Sequence, residues 1–163
     1  VPDSGGAGSF RGGNGVATTY RFTAPGTLSI QDDRQAGQPW GIFGGRPGSC
    51  SEKFLTTKSG EHRTLAAKVD RLPVYPGDKL LYAGPGTGGW GDPLRRPVEA
   101  VQRDVARGLT TIVSAKEYYG VVIDSDTGTI HVEETDALRQ RLLSAPGKPS
   151  HFDFGKKSVR ETS

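Results

Sequence analysis

Gly84-Pro85-Gly86-Thr87-Gly88-Gly89-Trp90-Gly91-Asp92-Pro93 separates a half of the chain patterned for strands from a half patterned for helices. Five glycines in ten residues are costly in chain entropy, so the run points to a backbone shape or a close approach that side chains would block. The tryptophan in its middle suggests an anchor. Gly86-Thr87-Gly88-Gly89-Trp90-Gly91 also satisfies G-x-G-x-x-G, after a candidate strand at Lys79-Leu80-Leu81-Tyr82-Ala83. A dinucleotide site needs a helix to open directly after the third glycine, and an acidic residue about 20 positions further on. Asp92-Pro93 and Pro97 postpone any helix, so a structural or substrate-side loop fits better than a nucleotide loop.

Upstream, Val16 to Phe22 alternates with Val16, Thr18, Tyr20 and Phe22 on one face, and Leu28 and Ile30 mark a second strand beyond Ala24-Pro25-Gly26-Thr27. A hairpin joining these two is the economical expectation. Further extended runs at Thr64 to Val69, Leu72 to Tyr75 and Lys79 to Ala83 predict an antiparallel meander. Pro76-Gly77-Asp78 turns the chain between the last two, proline presetting φ and glycine accepting a positive one. A second glycine-rich stretch, Gln38 to Gly48, pairs Trp40, Phe43 and Arg46 with four glycines. It is either an aromatic plug over one end of a sheet or a pocket or interface wall, where Arg34 or Arg46 can grip a carboxylate or phosphate.

Downstream the period changes. Val98, Val101 and Val105 recur at helical spacing, with Glu99, Arg103, Asp104 and Arg107 opposite and Gly108 as the stop. Thr111 can cap a second helix with Ile112, Ala115 and Tyr119 inward, ending at Gly120. Val121-Val122-Ile123 and Thr129 to Val132 then predict a strand hairpin. A last helix is expected over Asp136 to Ser144, with Leu138, Leu142 and Leu143 inward. The pair of short helices across Gly108 makes a poor DNA reader, because the second offers only Lys116 against Glu117. The predicted class is α+β: mainly antiparallel β with glycine-rich loops, two short helices, a strand hairpin and a C-terminal helix. One module over 1–145 and a polar, flexible tail over 146–163 are expected.

Composition sets the outer bounds. The 163 residues include 24 glycines and 11 prolines, only 33% are hydrophobic, and the interspersed charges leave a formal net charge of +3. That balance offers no nucleic-acid footprint. Cys50 is the single cysteine, which excludes an internal disulfide and fits a reducing, cytoplasmic setting. No stretch approaches the roughly 18 apolar residues of a membrane span. The lack of methionine points to initiator removal before Val1, or to a processed or separately encoded piece of something longer.

The three histidines, His62, His131 and His151, are scattered. His131 and Glu133 would share a strand face, but no metal-ligand spacing supports them. No complete active site emerges from the residues alone, and the catalytic residues stay unassigned.

An ordered series of motifs carries more. Ser4 to Gly15, Pro39-Trp40-Gly41-Ile42-Phe43-Gly44-Gly45-Arg46-Pro47-Gly48, Pro76-Gly77-Asp78 and the Trp90 loop come first. Glu99-Ala100-Val101, Arg103-Asp104-Val105 and Tyr119-Gly120-Val121-Val122 follow. Over residues 4 to 124 this series resembles the C-terminal part of the hydantoinase B and 5-oxoprolinase B family, to which the large subunits of acetone and acetophenone carboxylases are related. The resemblance implies a multisubunit, ATP-dependent hydrolase of cyclic amides such as hydantoins or 5-oxoproline. An A-type partner would use ATP to activate a carbonyl oxygen as a phosphate ester, and the B component would complete ring opening.

The histidine and aspartate motifs that resemble metal ligands in that family have no counterpart here. The resemblance therefore implies that this chain binds no cofactor, that ATP and a divalent metal belong to the partner or to the remaining B portion, and that the chain alone is inactive. Where relatives open the first helix with Asp-Pro, this chain has Pro97-Val98 and lacks the capping side chain. Arg34, Trp40, Arg46, Trp90 and Asp92 are the candidates for a substrate-side or interface wall. A subunit of a ketone carboxylase and a non-catalytic binding or assembly module are the alternatives.

Overall fold

In the computed structural model, which describes residues 1–144 and 151–155, the glycine-rich runs stand beside two cores. The β-patterned half supplies strands β1 (Ala17–Arg21), β2 (Gly26–Gln31), β3 (Gly41–Ile42), β4 (Glu52–Thr56), β5 (His62–Thr64), β6 (Lys68–Val74) and β7 (Lys79–Ala83). β1, β7, β4 and β5 form a four-stranded sheet in that order, β2 and β6 a two-stranded ribbon, and β3 pairs with β8 (Phe152–Asp153). Every named pair is antiparallel, as expected. Inward positions of the sheet (Leu55, Leu80) and of the ribbon (Val74, with Leu28, Ile30 and Leu72) close the first core. Burying one such side chain is worth roughly 1.5–3 kcal/mol.

β1, β2 and β7 lie close to where their periodicity put them, whereas the runs expected at Thr64 to Val69 and Leu72 to Tyr75 resolve into β5 and a single β6, β3 and β4 were not expected, and the partners differ. β1 and β2 do not form a hairpin: β1 pairs with β7 in a register that sets Thr18 opposite Tyr82, and β2 pairs with β6. The reason is at the end of β1, where the Phe22 N–H donates to the Asp78 carbonyl and the Phe22 carbonyl accepts from the Gly77 N–H. The Pro76-Gly77-Asp78 turn thus occupies the groups that a β1–β2 turn would need. The expected meander fails for the same cause, since β6 leaves for the ribbon while β7 fills the centre of the sheet between β1 and β4.

The helical half follows its pattern closely. α1 (Val98–Ala106) is followed by Gly108 at φ 67°, and α2 (Ile112–Tyr119) is capped by Thr111, whose Oγ1 accepts from the Ser114 N–H, and ends at Gly120 with φ 63°. Val101, Ala115, Tyr119, Val121 and Ile123 make the second core, and Ala7 joins it from the first glycine-rich segment. Asp104, expected on the solvent side of α1, is buried and paired with Arg96 at 2.8 Å and Arg11 at 3.5 Å. The pattern of valines could not announce this, because the ion pairs reach across to distant segments.

The predicted strand hairpin contracts to one antiparallel bridge between Ile123 and Ile130. α3 begins earlier than predicted and runs Val132–Leu143, with Glu133 and Glu134 in its first turn, where the helix dipole favours acid. Its buried residue is Thr135, whose Oγ1 accepts from the Val122 N–H, whereas Leu138 and Leu142 are half-buried and Leu143 is exposed. His131 consequently stands at the N-cap of α3 and not on a strand beside Glu133. Of the stretch set apart as a tail, residues 151–155 are described, and there β8 pairs Phe152 with Ile42 and Asp153 with Gly41. The rest of that expectation lies outside the described residues.

Candidate functional site

Three segments, 4–15, 39–49 and 84–92, lie backbone against backbone. A Cβ on Gly86 would fall inside 3.0 Å of the Ser4 carbonyl, one on Gly88 inside 3.0 Å of the Trp40 carbonyl, and one on Gly45 inside 3.0 Å of the Gly89 carbonyl. Real side chains do not tolerate such separations, so glycine is needed here for approach and not for an unusual φ. Hydrogen bonds tie the segments together: Gly6 N–H to Thr87 O at 2.8 Å, Arg46 N–H to Ala7 O at 2.7 Å, and Gly89 N–H to Arg46 O at 2.9 Å. The N–H groups of Gly86, Thr87, Gly89, Trp90 and Gly91 all donate to protein oxygens. A loop whose amides are committed this way is not free to cradle phosphates, and this is the structural outcome for the G-x-G-x-x-G match.

The glycine layer holds a row of aromatic rings on its surface. Phe10 and Trp90 exchange backbone hydrogen bonds at 3.0 Å each, which places their rings edge-to-face at 5.5 Å. Phe43 is also edge-to-face with Trp90 at 5.8 Å, and with His151 at 4.4 Å. The row continues from His151 through Phe152 and Phe154 to Trp40, over which the Arg34 guanidinium lies at 5.4 Å. Phe43 adopts φ 53°, in the left-handed region that a bulky residue avoids.

Two depressions flank this layer. One, of about 540 Å³, is lined by Gly5, Gly6, Arg46, Ser49, Ser114 and Tyr118 among others, and Arg46 stacks over Tyr118 at 4.4 Å. The other, of about 430 Å³, is lined by Ser9, Phe43, Trp90, Gly91, Asp92 and Arg95. Of the five candidates, the structure brings Trp90 and Asp92 to one depression, sets Arg46 on the other, and pairs Arg34 with Trp40. Asp92 is partly spent, since its Oδ1 accepts from the Leu94 N–H and caps a short 3₁₀ turn, Pro93–Arg95. Phe10 and Tyr118 were not singled out from sequence. Phe10 carries a signal in hindsight, as a large aromatic between glycines, but nothing local tied Tyr118 to Arg46.

Burial pushes the Tyr119 hydroxyl up to about 12, so it is not a base near neutral pH. Lys53 is fully buried and pairs with Asp32, which also accepts from Ser51. His131 lies 3.7 Å from Asp124 and 3.5 Å from Glu134. Among the described residues no group of three or more His, Cys, Asp or Glu side chains is placed to hold a metal ion, and no helix is long and apolar enough to cross a membrane.

Residues 1–93 match the family model described as hydantoinase B/oxoprolinase. The chain belongs to this family. It is 37% identical over 153 residues to caprolactamase subunit beta of Pseudomonas jessenii, a match covering 85% of this chain and 24% of that protein. The crystal structure of ATP-dependent caprolactamase from the same organism superposes with a TM-score of 0.63 at 32% identity, covering 86% of this chain and 25% of that one. The nucleotide-free structure of acetone carboxylase, at 18% identity, superposes with a TM-score of 0.62 over 90% of this chain and 25% of that one, a likeness of fold. This hydantoinase B-type chain thus spans about a quarter of the length of caprolactamase subunit beta and of the acetone carboxylase chain.

Proposed function

We propose that this chain is the C-terminal part of the B component of an ATP-dependent hydrolase that opens cyclic amides such as hydantoins or 5-oxoproline. The observation that carries the reading is the 37% identity to caprolactamase subunit beta, sustained over 85% of this chain. An A-type subunit would use ATP to activate the ring carbonyl, and the remaining B portion, with a divalent metal, would complete C–N cleavage. The described residues do not fit a metal site by themselves.

What this chain contributes is shape. A layer welded by backbone hydrogen bonds presents Trp40, Arg46, Trp90 and Asp92 on rigid supports, and rigid supports keep a pocket wall or an interface in register. Arg46 on Tyr118 and Arg34 on Trp40 leave guanidinium edges available to a carboxylate. Ketone carboxylation has only the likeness of fold behind it, and amide opening is the better supported reaction.

The test is reconstitution of this chain with the remaining B portion and the A-type subunit, followed by ATP-dependent hydrolysis of 5-oxoproline, hydantoin and caprolactam. Turnover that needs all three components is expected. Undiminished turnover without this chain, or an assembled complex that opens no cyclic amide, would refute the reading.

A further inference from the structure

The aromatic row is more exposed than a folded surface ordinarily leaves such side chains. Phe10 is 68% exposed, Phe154 66%, Phe43 51%, Trp90 48% and Trp40 44%, and they are linked ring to ring. Of the other exposed hydrophobics, Val113 and Val132 lie on separate helices and Tyr20 and Leu81 on neighbouring strands. A contiguous apolar patch with few charges marks a contact surface, and Trp and Phe are the residue types that dominate the binding energy of such contacts. The patch is also rigid. Trp90 is bridged to both Phe10 and Ile42, and Phe43 stands in a turn at φ 53° beside Gly44 at φ 90°. The Gly45 N–H donates to the Ile42 carbonyl and closes a turn whose two central residues, Phe43 and Gly44, both have positive φ, so the turn fixes the direction of the Phe43 ring and leaves it half in solvent.

We infer that this aromatic row, from Phe10 and Trp90 through Phe43 to Trp40, is the face on which the remaining portion of a B-type chain docks. This rests on the reading that the chain is part of a B component. The occupant follows from the extent of the match: caprolactamase subunit beta carries about three quarters of its length outside the region shared with this chain. A piece built into a chain of that length is covered by it over a large, permanent and apolar contact, the character of obligate interfaces. Among the described residues the row has that character: its members are aromatic, Arg34 stacks on Trp40, and Asp92 and Arg95 line the depression beside Trp90. A nucleic acid would call for a basic face instead.

Hydroxyl-radical footprinting read by mass spectrometry tests this, comparing the 163-residue chain alone with the complex it forms with a polypeptide carrying the remaining B-type sequence. Phe10, Phe43, Trp40 and Trp90 are expected to be modified freely in the chain alone and to be protected several-fold in the complex. A double variant, Phe10→Ser with Phe43→Asn, should weaken that association by about tenfold or more while leaving the melting temperature of the chain unlowered, because asparagine tolerates the left-handed backbone. A complex that forms with the row still reactive overturns the inference and leaves the family reading standing. Protection already present in the chain alone, with a dimer mass, overturns it in favour of a second copy. Failure of any complex to form overturns both.

Discussion

A Cβ on Gly88 has nowhere to go, because the Trp40 carbonyl and the Gly41 N–H already occupy its place. Both are backbone groups, so relief requires moving a segment and not a rotamer. Gly88→Ala is therefore expected to destabilise the chain by about 1–3 kcal/mol or more, whereas Gly37→Ala, with nothing within 4 Å, should be neutral or stabilising by up to about 1 kcal/mol. Urea midpoints of the two variants separate close approach from mere glycine content. Charge at the residue scale gives a second case. Burial alone would raise the Asp32 carboxyl, but hydrogen bonds from Lys53, Ser51 and the Arg34 N–H, with the attraction of Lys53, outweigh it and hold the group below its ordinary value. A depressed carboxyl contributes stability that is complete above the unfolded value of about 3.9 and is lost as pH falls through the folded one. Lys53→Met should cost about 3–5 kcal/mol at neutral pH by leaving a buried carboxylate without its partner. Denaturation followed from pH 7 to pH 2 should also show a shallower acid limb in the variant.

At the scale of elements, helix ends were the most legible part of the sequence, and the reason is local chemistry. Thr111 and Gly120 bound α2 where expected, since a side-chain cap and a left-handed C-terminus each act within one turn. Thr111→Ala is expected to cost about 1 kcal/mol, and Gly120→Ala more than about 1 kcal/mol, because its new Cβ also meets Arg139 Cγ at 2.9 Å. Thermal melts of both, against a neutral surface variant of α3, check the ordering. Strand partners were illegible for the opposite reason. A period of two identifies β1 and β2 as strands but says nothing of pairing, and the bonds at Phe22 that divert β1 to β7 come from a turn more than fifty positions away. The candidate site divides the same way. Trp40, Arg46 and Trp90 stood out as large or charged side chains among glycines, while Tyr118 beneath Arg46 and the burial of Lys53 against Asp32 depend on long-range contacts.

Across the whole molecule, beside the two cores stands a layer in which three glycine-rich segments meet backbone against backbone and carry their aromatic side chains on the surface. Its cohesion rests on backbone hydrogen bonds between segments far apart in sequence, such as Gly6 N–H to Thr87 O, and on Ser9 Oγ to Asp92 O across 83 positions. A glycine segment held this way cannot open one residue at a time, since releasing the 84–92 run strips partners from both the 4–15 and 39–49 runs. The amides of Gly6, Ile42, Arg46 and Gly89 should therefore exchange hydrogen as a single cooperative unit, with an opening free energy matching global unfolding. Surface bonds such as Asp126 N–H to Asp124 Oδ1 should exchange far faster. Native-state exchange followed by NMR at increasing denaturant distinguishes the cases: convergence of the four glycine-layer amides on the global isotherm supports a welded layer, and independent low-energy openings would mean that the loops are separate and that the aromatic row stands on a yielding base. A rigid layer makes the pre-ordering of that row a property of the isolated chain, so that docking need not supply the entropy of arranging it.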